Sequence, residues 1–130
     1  MNDRDETIQK IKTALQRRSG KPWSVTGGRG TAWGWIAIDA PPKRRTWSHR
    51  LKNGGTGYGA PEDYEEYDTG KPNAGHMSPD DRAELGRLLG KAGPSYQDGE
   101  SIPASGGHYQ EYIDRAEGRE PAKLGEVYWD

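Results

Sequence analysis

The chain has 130 residues, 30% of them hydrophobic and 30% charged, with a formal net charge of −1 and no cysteine. These figures exclude a disulfide scaffold and thiolate metal sites. With a mean hydropathy of −1.15, no apolar run approaches the roughly 18 residues of a membrane span. Leu, Ile and Val together number 14 and Phe is absent. The five Trp and seven Tyr must therefore supply much of any core.

The near-zero net charge hides a split. Residues 1–52 hold 12 Lys/Arg against 4 Asp/Glu, and residues 53–130 hold 7 against 16. Residues 1–52 also hold four of the five Trp and no Tyr. Such asymmetry points either to a polyanionic partner for the basic part or to two parts that neutralise each other on folding. The opening MNDRDETIQK is charged and unlike a secretory leader, so a cytoplasmic location is expected.

In chain order, residues 5–18 are predicted as a helix, with Ile8, Ile11 and Leu15 at helical spacing and Gly20 and Pro22 beyond its end. Trp23–Thr26 and Trp33–Asp39 are predicted as strands of a hairpin near 22–39, joined through Gly27-Gly28-Arg29-Gly30-Thr31. On the second strand, alternation puts Trp33, Trp35 and Ala37 on one face, Ile36 and Ile38 on the other. Both faces are partly apolar, so one is core and the other is covered later or left open to a ligand. Trp23 and Trp35 are taken as core, Trp33 and Trp47 as the exposed candidates. Pro41-Pro42 ends the strand.

Residues 53–77 read as a long irregular loop, rich in Gly and Pro, whose centre is acidic and tyrosine-bearing. Ser78-Pro79-Asp80-Asp81 is a helix start, and Leu85, Leu88 and Leu89 are its buried stripe before Gly90. A third strand is expected over residues 95–102, and a third helix over roughly 106–117 with Tyr109, Tyr112, Ile113 and Ala116, for which Ser105 is the expected cap. The tail residues Val127, Tyr128 and Trp129 are expected to dock. The whole is one α+β domain: a small antiparallel sheet of about three strands under three helices.

The phrases KPWSVTGGRGTAWGWIAIDAPPKRR, MSPDDRAELGRLLG, SIPAS, YIDRAEG and VYWD resemble a group of short bacterial and phage proteins that carry no assigned activity. The resemblance implies a phage or mobile-element context and transfers no catalytic residue or cofactor.

Two surfaces are candidates for contact. Arg29, at the turn tip, and Lys43, Arg44, Arg45 and Arg50, with Trp33 and Trp47 interleaved, have the charge and the rings that nucleic acid requires. The acidic run Glu62, Asp63, Tyr64, Glu65, Glu66, Tyr67 and Asp68 suits a basic protein groove. The leading expectation is a non-enzymatic binding protein that contacts nucleic acid or a host nucleoprotein complex. The alternative is a phage or mobile-element inhibitor acting through the acidic run. A small enzyme is the third option, with no legible reaction: His49, His76 and His108 lack metal-ligand spacing, and Ser105 beside His108 is a weak pairing. No cofactor or metal is expected.

Overall fold

A computed structural model describes residues 3–55, 57–94 and 99–121. Their elements in chain order are α1 (Asp3–Ser19), β1 (Ser24–Gly27), β2 (Ile36–Asp39), β3 (Trp47–Leu51), β4 (Tyr64–Asp68), α2 (Pro79–Leu89), β5 (Glu100–Ile102) and α3 (His108–Ala116). Short 3-10 turns at Gly30–Ala32, Pro42–Arg44 and Pro61–Asp63 join them. The fold is α+β, with a three-stranded antiparallel sheet in the order β1-β2-β5 and a separate β3–β4 hairpin. The tail with Val127, Tyr128 and Trp129, and residues 95–98 before β5, lie outside the described residues.

The apolar spacing of α1 buries Ile11, Ala14 and Leu15. Acids in its first turn and Arg17 and Arg18 in its last complement the helix dipole. Helix α2 matches its sequence signals most closely. The Ser78 Oγ accepts the Asp81 N–H at 3.0 Å, Pro79 is the first helical residue, and Gly90 closes the helix at φ 67°, a left-handed conformation that favours glycine. Leu85 and Leu89 are buried from it. Helix α3 starts on Gly107 with no side-chain cap, so the expected Ser105 cap is not made.

The sheet is two-sided. Ile36 lies opposite Gly27 and Ile102, and Ile38 opposite Val25 and Glu100. Val25, Ile36, Ile38 and Ile102 are buried, and they form one cluster with Ile11, Leu15, Trp23, Met77, Leu85, Leu89, Tyr112 and Ile113. All three helices contribute to that cluster, so it occupies the inner face of the sheet. Thr26, Ala37 and Ser101 form the row between, on the opposite face.

The 53–77 segment departs from its expected irregularity. Its acidic tyrosine run is strand β4 plus the turn that precedes it. Antiparallel pairing sets Arg50 against Glu65 and Trp47 against Asp68. Strand propensity is low for such a run, but the basic partner strand supplies opposite charges directly across the ladder. His76 adds a further rung, exchanging backbone hydrogen bonds with Trp47 at 2.9 and 3.0 Å.

Three polar side chains cross the base of the core. The Lys91 Nζ donates to Glu100 at 2.7 Å and to the Tyr112 hydroxyl at 2.8 Å, and that hydroxyl donates to Glu100. Burial, with the Glu100 hydrogen bond, pushes the Tyr112 phenol above its ordinary value. Burial works against the Lys91 ammonium, but the bonds to Glu100 and Tyr112 outweigh it and hold its pKa above the ordinary value. Both groups keep protons more tightly when folded, so their contribution is complete below pH 10 and is lost as pH rises through the folded values. Urea unfolding should show stability falling above about pH 10, and Tyr112→Phe should flatten that fall. In the core, Leu85→Ala should cost about 2–5 kcal/mol of unfolding free energy, read from the urea midpoint.

Candidate nucleic-acid interface

The β1–β2 connection is a tight, pinned loop. Past Gly27, the Gly28 N–H donates to the Trp35 carbonyl at 2.8 Å, which extends the ladder by one rung. The Gly30–Ala32 turn follows, with Trp33 N–H to Gly30 O at 3.1 Å and Trp35 N–H to Ala32 O at 3.0 Å. A Cβ at Gly28 would lie 2.0 Å from the Ala32 carbonyl oxygen, so the turn closes only over glycine. Two side chains from the helices fasten it. The Arg4 guanidinium donates to Gly28 O at 3.1 Å and Trp33 O at 2.9 Å, and lies 3.9 Å over the Trp33 ring. The Tyr109 hydroxyl, from the first turn of α3, donates to Gly34 O at 2.5 Å.

On this support stand two indoles, Trp33 at 47% and Trp35 at 48% exposure. Trp35 therefore departs from its expected core position, while Trp23, 1% exposed, holds to its own. The predicted strand over Trp33–Asp39 begins only at Ile36, because Gly30–Ala32 and the turn after it occupy the earlier residues. The side chain of Arg29, exposed beside them, makes no hydrogen bond or ion pair among the described residues.

The basic run after Pro42 divides. Lys43 is exposed, and its side chain has no partner among the described residues. Arg44 is committed inward: its Nε meets Asp81 Oδ2 at 3.1 Å, its Nη1 donates to Pro22 O at 2.6 Å, and its head lies 4.8 Å over the Trp23 ring. Arg45 donates to Ala40 O at 2.5 Å and faces Asp39 at 3.6 Å. Burial raises the Asp39 carboxyl above its ordinary value, and Arg45 and the Ala40 N–H work in the other direction. Arg50 pairs across the hairpin with Glu65 at 2.9 Å and lies 4.4 Å over the Tyr67 ring. Trp47 is half-buried on β3. Of the seven candidate residues, Arg29 and Lys43 are exposed with no side-chain partner among the described residues, and Trp33 is half-exposed with the Arg4 guanidinium over its ring.

The acidic run is equally committed. Glu66 forms a two-pronged pair with Arg82 of α2 at 2.5 and 2.6 Å. Glu65 takes Arg50, and the Asp63 carboxylate accepts the Ala60 N–H at 2.9 Å. Asp68 accepts the Gly70 N–H, which holds its carboxyl below the ordinary value. Tyr64 is half-buried, edge-on to His49 at 5.5 Å. Glu62 is exposed in the preceding turn.

The two parts of the chain meet at Asp81, a buried acid in the first turn of α2. It accepts Lys21 Nζ at 2.8 Å on one oxygen and Arg44 on the other, and Glu84 takes Lys21 as well. Arg18 supplies a second tie, donating to Leu88 O, Arg115 O and Ala116 O at 2.8, 3.2 and 2.6 Å. It thereby satisfies carbonyls that the ends of α2 and α3 leave open. No group of three His, Cys, Asp or Glu among the described residues is placed to hold a metal. No described helix is long and apolar enough to cross a membrane. His108 faces Glu111 at 2.8 Å.

Sequence reasoning passed over Arg4, Trp35 and Tyr109. Trp35 carried a signal, because alternation set it opposite Ile36 and Ile38. Arg4 and Tyr109 carried none, since their roles depend on the ends of α1 and α3 meeting the loop. No family model, curated protein or solved structure matches the chain.

Asp81→Asn keeps the shape and removes the charge that Arg44 and Lys21 share. It should lower stability by about 3 kcal/mol in urea unfolding, the lower end for a broken buried pair because Lys21 retains Glu84.

Proposed function

We propose that this protein is a non-enzymatic binding module that contacts nucleic acid through the β1–β2 loop, with Trp33 and Trp35 as stacking surfaces and Arg29 and Lys43 as phosphate contacts. One observation carries the reading: two half-exposed indoles two residues apart, on a loop fastened by Arg4 and Tyr109, beside an arginine whose side chain has no partner among the described residues. Large apolar rings are costly to leave in water, and a pinned loop keeps them from folding inward. A base stacked on an indole is held by about 1–3 kcal/mol. The pre-formed loop reduces the ordering cost of binding. A nucleoprotein complex of a host is a partner of the same chemistry, and the resemblance to phage proteins favours that setting.

The inhibitor reading, in which the acidic run fills a basic groove, draws less support. Glu65, Glu66, Asp63 and Asp68 already have partners within the chain. An enzyme draws less still: in the cavity lined by Arg18, Glu111, Arg115 and Arg119, Glu111 is already paired with Arg115 and His108.

Fluorescence titration with labelled DNA and RNA oligonucleotides, at about 50 and 200 mM salt, tests the proposal. Trp33→Ala and Trp35→Ala should each weaken binding by roughly fivefold to 150-fold, the equivalent of one lost stack. With Arg29 and Lys43 as the two phosphate contacts, the log–log salt slope should be shallow, about −1.4 for a single strand. Absence of binding at the lower salt would refute the reading.

A further inference from the structure

Helices α1 and α3 pack together and leave a groove of about 410 Å³ between them. Lys10, Ala14 and Arg17 of α1 line one wall. Ile113 of α3, with Glu117 and Arg119 just past its end, lines the other. Ala14 and Ile113 are buried and form an apolar floor. The rim is charged. Lys10 and Arg17 are exposed, and neither side chain has a partner among the described residues. Arg119 is held by Asp114 at 2.8 Å and by Glu117 at 3.1 Å. Along the groove, the cations Lys10, Arg17 and Arg119 therefore stand against one lining acid, Glu117, and the two on α1 are uncommitted.

The spacing on α1 suits one half of a helix–helix contact. Lys10 and Arg17 lie two turns apart, roughly 10 Å along the axis, with Ala14 between them on the same face. A partner helix laid along the groove has the same repeat. Its carboxylates, two turns apart, meet the cations, and the small apolar residues between them settle on Ala14 and Ile113. Cations above an apolar floor call for both kinds of group in one ligand, and an acidic amphipathic helix carries both. Nucleic acid has phosphates for Lys10 and Arg17, but no ring of a described residue lines the groove to stack its bases. A groove this small supports a contact of the weak, transient class.

We infer that the α1–α3 groove is a docking site for an acidic amphipathic helix of a partner protein, with Lys10 and Arg17 as its charge contacts and Ala14 and Ile113 as its floor. None of these residues belongs to the β1–β2 loop, so failure at one surface leaves the other standing.

The test is an NMR titration of the isotope-labelled full chain with three probes. One is a synthetic helical peptide with glutamates two turns apart and Ala and Leu between them. The second replaces the glutamates with lysines, and the third is a single-stranded DNA oligonucleotide. The acidic peptide should shift the backbone amides of Lys10, Ala14, Arg17 and Ile113, and the lysine peptide should leave them in place. Lys10→Glu and Arg17→Glu should each weaken binding of the acidic peptide by at least about tenfold through like-charge repulsion. Both positions are exposed, so the melting temperature of each variant should match the parent. Lys12→Glu, exposed on α1 but outside the groove, should bind like the parent and so exclude a general charge effect. Absence of shifts at the groove, equal binding of the two peptides, or a Lys12→Glu loss as large as that of Lys10→Glu would each overturn the inference. So would DNA that shifts the groove amides at lower concentration than the acidic peptide, which would assign the groove to nucleic acid instead.

Discussion

The architecture depends on a single buried carboxylate. Asp81 sits in the first turn of α2 with little exposure, where the helix dipole already favours negative charge. It receives Lys21, from the link between α1 and β1, and Arg44, from the link between β2 and β3. Both cations also lie over the ring of Trp23, at 5.5 and 4.8 Å. One acid, two bases and one indole therefore join three separate stretches of chain. Arg44 has one buried nitrogen, Nη2, with no hydrogen-bond partner among the described residues, and the face of Trp23 is what compensates it.

That arrangement explains the charge split. The basic part of the chain is spread over the fold, and its members are drawn one by one into the acidic part. Asp81 and Glu84 take Lys21, Asp81 takes Arg44, and Glu65 takes Arg50. The acidic tyrosine run is shaped by the same pairing, because Glu66 anchors β4 to Arg82 of α2. Once these pairs are made, Lys10, Lys12, Arg17, Arg29, Lys43 and Lys52 are the basic residues of this part that stay exposed without a side-chain partner among the described residues. They are spread over α1, the β1–β2 loop, the turn after β2 and the end of β3, so only Arg29 stands on the loop beside Trp33 and Trp35. Aromatic surface outweighs charge there, which sets the character of the proposed ligand contact: stacking first, with phosphate attraction in support.

The loop is held by parts distant in sequence. Arg4 reaches it from the start of α1 and Tyr109 from the start of α3. Burial pushes the Tyr109 phenol above its ordinary value, with Arg4 lowering it and Asp3 raising it, so its hydroxyl stays a donor to Gly34 at neutral pH. Both contacts fasten the backbone and leave the indoles outward. The site is thus built on two helix ends that also pack the core, and the stability of that core is what keeps the loop in place.

Local signals in the sequence determined the parts of this protein that local physics controls. Ser78, Pro79, Asp81 and Gly90 mark the ends of α2 because capping and left-handed closure need only neighbouring residues. The spacing of Ile11 and Leu15 places α1, and glycine between β-rich runs places the β1–β2 hairpin. Tertiary structure alone decided the rest. Ile36 and Ile38 alternate with Trp35 and Ala37, and both sets are apolar, so alternation defines two faces without saying which is core. The helices chose the isoleucines, which join the buried cluster with Leu85 and Ile102, and the indole was left outside. The run Tyr64–Asp68 has weak strand propensity and became β4 only because Arg50 and Arg82 lie across from its acids. Whether Arg44 and Arg45 face a ligand or their own chain was likewise a matter of position, because a sequence shows charges but not the distances between them.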